Sequence, residues 1–171
     1  EFRDIVTETN DRYSFRVAGT PLWDPVTKSP FALAHHKDLI RRLPQVRKGA
    51  TLITSSVAAP LLKAIFDELC DLVNVVAVKK EIGCLITIQD LLDLDLSGLK
   101  ETVILPGRTM AFDPEIKRVL SRDGVKRLVR RGPDRLTVDG EMSISMTPEE
   151  VLEVEVEAFA ELIDEINALG V

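Results

Sequence analysis

The sequence predicts the α/β class: a small mixed or parallel sheet with flanking helices and a long C-terminal helix. Three observations lead there. Short apolar runs rich in Val and Ile recur at 50–54, 73–79 and 102–105, the signature of strands buried on both faces. A stretch of helical periodicity separates the first two runs. Residues 147–170 carry the signals of a helix start and stop at a spacing that fits one long helix.

Taken in order, residues 1–30 read as an extended lead-in, and 45–171 as the α/β core of the same single domain over 1–171. Tyr13 to Val17 alternates like a strand. Pro21 and Pro25 in Gly19–Pro25 force turns, because each proline fixes φ and disfavours helix before it. Phe31 to Leu43 is expected to be helical, stopped by Pro44. Ala50 to Ile53 is a strand, and Ser55 or Ser56 can cap the helix that follows as far as Cys70. Leu61, Leu62, Ile65, Phe66 and Leu69 share one face of that helix.

Val73 to Val78 reads as a buried strand, Leu85 to Ile88 as another, and Gln89 to Leu94 as a helical turn. Thr102 to Leu105 is a third apolar strand, ended by Pro106-Gly107. Residues 113–135 read as helical and basic, Arg135 to Val138 as a short strand, and Asp139-Gly140 as a turn. Thr147, Pro148 and Glu150 supply an N-cap, a proline at N1 and a capping-box acid. Leu152, Val156, Phe159, Ile163 and Ile166 then repeat on one face, and Gly170 sits where a C-cap glycine belongs.

Composition narrows the function. The net charge is -6, which argues against a general nucleic-acid binder and gives no attraction to an anionic membrane. The chain has two cysteines, Cys70 and Cys84, with no recognised metal spacing between them. A reducing cytoplasm is the natural reading. No apolar run approaches the ~18 residues of a membrane span. No signal peptide opens the chain, and Glu1-Phe2 reads as an internal or engineered start.

In parallel α/β sheets, ligands gather at loops after the carboxyl ends of strands. Three such loops carry unusual residues: Thr54-Ser55-Ser56, Ile82-Gly83-Cys84 and Pro106-Gly107-Arg108-Thr109. Hydroxyls, exposed amides and flexible glycines there could hold a phosphate or an amide-rich ligand. Plain capping and turn chemistry would explain the same residues. His35-His36 diverge on a helix and do not make a metal pair. The basic residues from Lys117 to Arg135 could clasp an acidic surface, or form a solvated face paired with the acidic final helix. No nucleophile–base arrangement, P-loop or HExxH occurs, so no catalytic residue is assigned and no metal ligand is named.

Three blocks resemble the methanogenesis marker protein 10 family. They are Arg16-Val-Ala-Gly-Thr-Pro-Leu-Trp-Asp-Pro-Val-Thr-Lys-Ser-Pro-Phe-Ala32; Asp71-Leu-Val-Asn-Val-Val-Ala-Val-Lys-Lys-Glu-Ile-Gly-Cys-Leu-Ile-Thr-Ile-Gln-Asp-Leu91; and the run from Thr102-Val-Ile-Leu-Pro-Gly-Arg108 through Leu120-Ser-Arg-Asp-Gly-Val125 and Arg130-Arg-Gly-Pro-Asp134 to Val138-Asp-Gly-Glu-Met-Ser143. A weaker similarity links the Thr54 region, the Val73–Lys79 strand, the Gly83 turn and the Leu105-Pro106 step to the domain after the radical-SAM barrel in a related bacterial family.

The resemblance implies an archaeal radical-SAM methyltransferase. Its whole protein carries a [4Fe–4S] cluster, uses S-adenosylmethionine and cobalamin, and C-methylates an arginine of the methyl-coenzyme M reductase alpha subunit. This chain would correspond to its C-terminal, cobalamin-binding domain, which caps the radical-SAM barrel. The CxxxCxxC motif of the cluster is absent, so the chain is not expected to catalyse alone. The corrinoid signature Asp-x-His-x-x-Gly is absent too, which implies a cobalt with no histidine beneath it and with Leu85 or Cys84 facing the metal. The expected cofactor contacts are Thr54, Ser55, Ser56, Gly83, Cys84, Leu85, Gly107, Arg108 and Thr109. The alternative is a cofactor-free interaction module that grips the barrel or the substrate protein through 117–135 and Arg16–Ala32.

Overall fold

A computed structural model describes residues 31–136 and 147–171. Four parallel strands form one sheet: β1 (Ala50–Thr54), β2 (Val73–Ala77), β3 (Thr102–Leu105) and β4 (Leu128–Arg131), in the spatial order β2-β1-β3-β4. β1 is flanked on both sides, with Leu52 opposite Val75 of β2 and Ile104 of β3. β3 continues to β4, Thr102 opposite Leu128 and Leu105 opposite Arg131. β1 and β3 are buried throughout, whereas β2 and β4 are only partly so. The two inner strands therefore need side chains that are apolar or small on both faces. Arg130 and Arg131 put charge on the outer strand β4, which discourages further pairing.

The helices are α1 (Lys37–Ile40), α2 (Ala59–Leu69), α3 (Ile88–Leu92), α4 (Asp113–Val119) and α5 (Pro148–Leu169). Strand residues alternate between two cores, as a period of two requires. Ala50, Leu52 and Ile104 meet Leu62, Ile65 and Phe66 of α2 and Phe159, Leu162, Ile163 and Ile166 of α5. Ile53, Val103, Leu105 and Val129 meet Leu91 of α3 and Ile116 and Val119 of α4. The sheet is thus covered on both faces. Phe159 lies at the centre of the first core, its ring edge-on to Phe31 at 5.5 Å and tilted against Phe66 at 6.3 Å.

α5 begins as its sequence demands. Thr147 Oγ1 accepts from the Glu150 amide at 3.2 Å, and the Thr147 amide donates to Glu150 Oε2 at 2.9 Å. One turn further on, Glu155 is buried. Its carboxylate accepts the Ala32 and Leu33 amides at 3.1 and 2.8 Å. Burial pushes this carboxyl above its ordinary pKa, and the two amide donors partly offset the shift.

Several local expectations are corrected. Phe31–Leu43 is not one helix: a 3-10 turn over Ala32–His35 is broken at the non-helical His36 before α1. The expected strand Leu85–Ile88 is the end of a 3-10 turn over Gly83–Leu85 and the start of α3. There Thr87 and Asp90 form a capping box, which outweighs the β-branched residues around it. The helix expected over 113–135 ends at Val119. Asp123 Oδ1 accepts from the Val125 amide at 3.1 Å, and Gly124 adopts φ +86°, so the chain turns and enters β4. Left-handed backbone of that kind suits glycine and stops a helix.

Arg135–Val138 is not a strand where it is described, since Asp134–Leu136 is a 3-10 turn. Gly170 does sit at the C-cap of α5, its amide donating to Ile166 O at 2.7 Å. It is extended, at φ -70° and ψ 165°. A Cβ there would stand 2.6 Å from Ile166 O and 2.7 Å from Gly49 O, so close backbone approach explains the glycine. The strand expected at 13–17, the turns at 19–25 and the Asp139-Gly140 turn lie outside the described residues.

Candidate functional site

The strand order reverses at β1. From β1 the chain passes into α2 on one face of the sheet, and from β3 into α4 on the other. Diverging connections of this kind open a crevice at the carboxyl ends of the two strands, where α/β sheets bind ligands. The three loops singled out in the sequence all lie at this end, following β1, β2 and β3.

The polar residues expected there are largely tied into their own turns. Thr54 and Ser55 are buried. The Thr54 carbonyl accepts from the Val78 amide at 3.0 Å, and Ser55 Oγ accepts from the Ala58 amide at 3.2 Å to start the turn into α2. Ser56 is exposed; its amide donates to Lys80 O at 2.8 Å, joining the β1 and β2 loops. Thr109 is buried, its hydroxyl donating to Pro106 O at 2.8 Å. Gly107 runs against the loop after β4, where a Cβ would be 2.5 Å from Asp134 Oδ1 and 2.6 Å from Gly132 O. Gly83 and Cys84 are half-buried in their 3-10 turn, while Leu85 and Arg108 are exposed.

The same end carries apolar surface that the polar motifs did not reveal. Val57 after β1 is 41% exposed and Leu85 after β2 is 36% exposed. Met110 and Phe112 after β3 reach 69% and 67%. These four side chains give the three neighbouring loops an apolar surface, while Leu72, Val125 and Val171 are exposed at the amino end. The available signal was the placement of apolar residues in loops after strands.

Three arginines of the basic run, Arg122, Arg127 and Arg131, fasten the fold internally. Arg122 donates to the carbonyls of Leu92, Leu94 and Val119 at 2.9, 2.8 and 2.7 Å. Arg127 is 8% exposed, pairs with both Asp123 oxygens at 2.8 Å, and donates to Leu120 O and Leu96 O. This guanidinium holds the Asp123 carboxyl down to about pKa 2. Arg131 donates to the carbonyls of Gly107, Thr109 and Ala111 and to Asp113. Arg135 reaches Glu157 and Glu161 of α5 at 3.1 Å each, the pairing expected of a solvated face.

The polar groups at the amino end of the sheet are tied to one another. Thr51 Oγ1 donates to Asn74 Oδ1 at 2.6 Å and accepts from the Lys100 amide at 2.9 Å. Asn74 donates onward to Gly98 O, and Thr102 Oγ1 to Leu169 O. Gly49 and Val171 exchange backbone hydrogen bonds at 3.1 and 3.4 Å.

His35 and His36 are exposed, away from the three loops, in the turn before α1. Among the described residues no group of three His, Cys, Asp or Glu side chains is gathered for a metal. Cys70 and Cys84 are not joined in a disulfide. No described helix is long and apolar enough to cross a membrane. No protein-family model matches the chain, and no curated protein matches it.

Proposed function

We propose that this chain is the cobalamin-binding, barrel-capping domain of a cytoplasmic radical-SAM methyltransferase acting on an arginine of the methyl-coenzyme M reductase alpha subunit. The observation that carries the reading is the exposure of Val57, Leu85, Met110 and Phe112 at the carboxyl ends of β1, β2 and β3. A corrin is a broad ring with apolar faces and an amide rim. Exposed aliphatic and aromatic side chains suit its faces, and turn backbone suits its rim.

The donor set fits one mode of binding only. None of the three loops carries a histidine, so the metal would meet Leu85 or Cys84 rather than imidazole. When bound, the corrinoid supplies the methyl group, and the protein tunes the surroundings of the metal. The [4Fe–4S] cluster and S-adenosylmethionine belong to the barrel of the parent protein, because this chain lacks the cysteine motif they require. Cys70 and Cys84 form no disulfide, which accords with a cytoplasmic setting.

The rival reading, a cofactor-free module that docks the barrel or the substrate protein, draws on the same apolar loops. It draws little on the basic run, whose Arg122, Arg127 and Arg131 hold the fold together. Titration with hydroxocobalamin, followed by desalting and a visible spectrum, separates the two. Retained corrinoid with a base-off spectrum supports the first reading, and a Leu85→His variant should then change that spectrum. A colourless protein favours the docking module.

A further inference from the structure

The segment after β3 is irregular, and one side chain from β4 gathers several of its groups. The Arg131 guanidinium donates to Gly107 O at 3.1 Å, Thr109 O at 2.6 Å and Ala111 O at 2.7 Å, and its Nε donates to Asp113 Oδ1 at 2.8 Å. Its inward partners are every second carbonyl. Burial follows the same period: Thr109 and Ala111 are buried, and Arg108, Met110 and Phe112 face outward. The segment is therefore a turn and an irregular stretch wrapped around one cation, with Ala111 in the core and Met110 and Phe112 facing away from it. Lysine could not replace this arrangement, because a point ammonium does not present the planar fork that spans several acceptors.

We infer that Arg131 is a positioning residue of the ligand site: it fixes residues 107–113 so that Met110 and Phe112 stand as a rigid apolar lip against one corrin face. The inference rests on the corrinoid reading of this end of the sheet. Arg131 need not touch the ligand. It acts by removing loop freedom before binding, so that less order has to be imposed when the ring arrives.

The test uses the whole chain with hydroxocobalamin as the probe. It compares the wild type, Arg131→Lys, the pair Met110→Ala with Phe112→Ala, and the triple variant. Arg131→Lys should weaken corrinoid binding about tenfold by loosening the lip. Amide exchange at 108–112 should quicken while that of β1 is unchanged. The triple variant should bind no worse than the Ala pair, because Arg131 works only through those two side chains. Wild-type affinity in Arg131→Lys, or additive losses in the triple variant, overturns the role of Arg131 and leaves the corrinoid reading standing. A wild-type protein that retains no hydroxocobalamin overturns that reading and this inference with it. Should Arg131→Lys fail to fold, Asp113→Ala removes one of the four partners at an exposed position, and is expected to quicken loop exchange and weaken binding in the same direction.

Discussion

The two ends of the sheet are built differently. At the amino end, Thr51, Asn74, Gly98 and Lys100 form one connected set of hydrogen bonds, and Gly49 is paired to Val171. Arg127 ties Asp123 to the carbonyls of Leu96 and Leu120 just before β4. At the carboxyl end the loops satisfy their own backbone but leave Val57, Leu85, Met110 and Phe112 uncovered. Polar groups closed on themselves contribute to stability and offer nothing to a ligand. Exposed apolar surface costs stability and is retained where something covers it. Leu72, Val125 and Val171 are exposed at the amino end as well, so the contrast lies in the linked polar groups there and not in apolar exposure alone.

The sharpest way to break this comparison is Arg127→Met. It takes the donor from the carbonyls of Leu96 and Leu120, and a loss of about 3 kcal/mol in a urea melt is expected for two buried acceptors left unmade. An unchanged midpoint would mean the amino end is not held there. Gly170→Ala comes next: the new Cβ would press on Ile166 O and Gly49 O, at a cost of about 2 kcal/mol from overpacking against backbone. Thr51→Val keeps the shape but removes the link between Asn74 and Lys100, and should cost about 1 kcal/mol.

A pH titration sharpens the same point. Asp123 has its folded pKa lowered from 3.8 to about 2. Its contribution is therefore complete above 3.8 and is lost as pH falls towards 2. Asp123→Asn should flatten the acid limb of the stability curve in that window, and a limb as steep as the wild type's would assign the acid sensitivity elsewhere. The smallest effect is expected at the other end. Met110→Ala and Phe112→Ala should shift thermal stability by under about 0.5 kcal/mol, as exposed substitutions do. A large loss would show that these side chains already have a partner within the chain.

Much of the scaffold was legible in the sequence. The apolar runs at β1, β2 and β3 had few other physical readings, and Thr147-Pro148-Glu149-Glu150 marked the start of α5 before any coordinates. The misreadings arose where two local signals competed. Ile86, Thr87 and Ile88 favour strand, but Thr87 with Asp90 caps a helix. The dense Lys and Arg after Asp113 favour helix, but Asp123-Gly124 makes a turn. For the candidate site, loop position was legible and exposure was not. Met110 and Phe112 resemble core residues in composition, and only the completed packing reveals that nothing in the described chain covers them. The arginines misled in the opposite sense, since a charge run gives no sign that its side chains will reach back to carbonyls.

Glu155 has a consequence for the order of events in folding. Its two hydrogen bonds join residues separated by 122 and 123 positions. The segment at 31–40 packs against α5 and α2 rather than forming a long helix of its own. Closing so long a loop is slow, because its entropy is lost before the contact is gained. The early chain must therefore wait for the late helix. Conversely, when α5 detaches, the turn at Ala32–His35 loses its anchor in the same step. Probes placed near His35 and near Glu161 should report a single unfolding transition, despite the stretch of sequence that separates them.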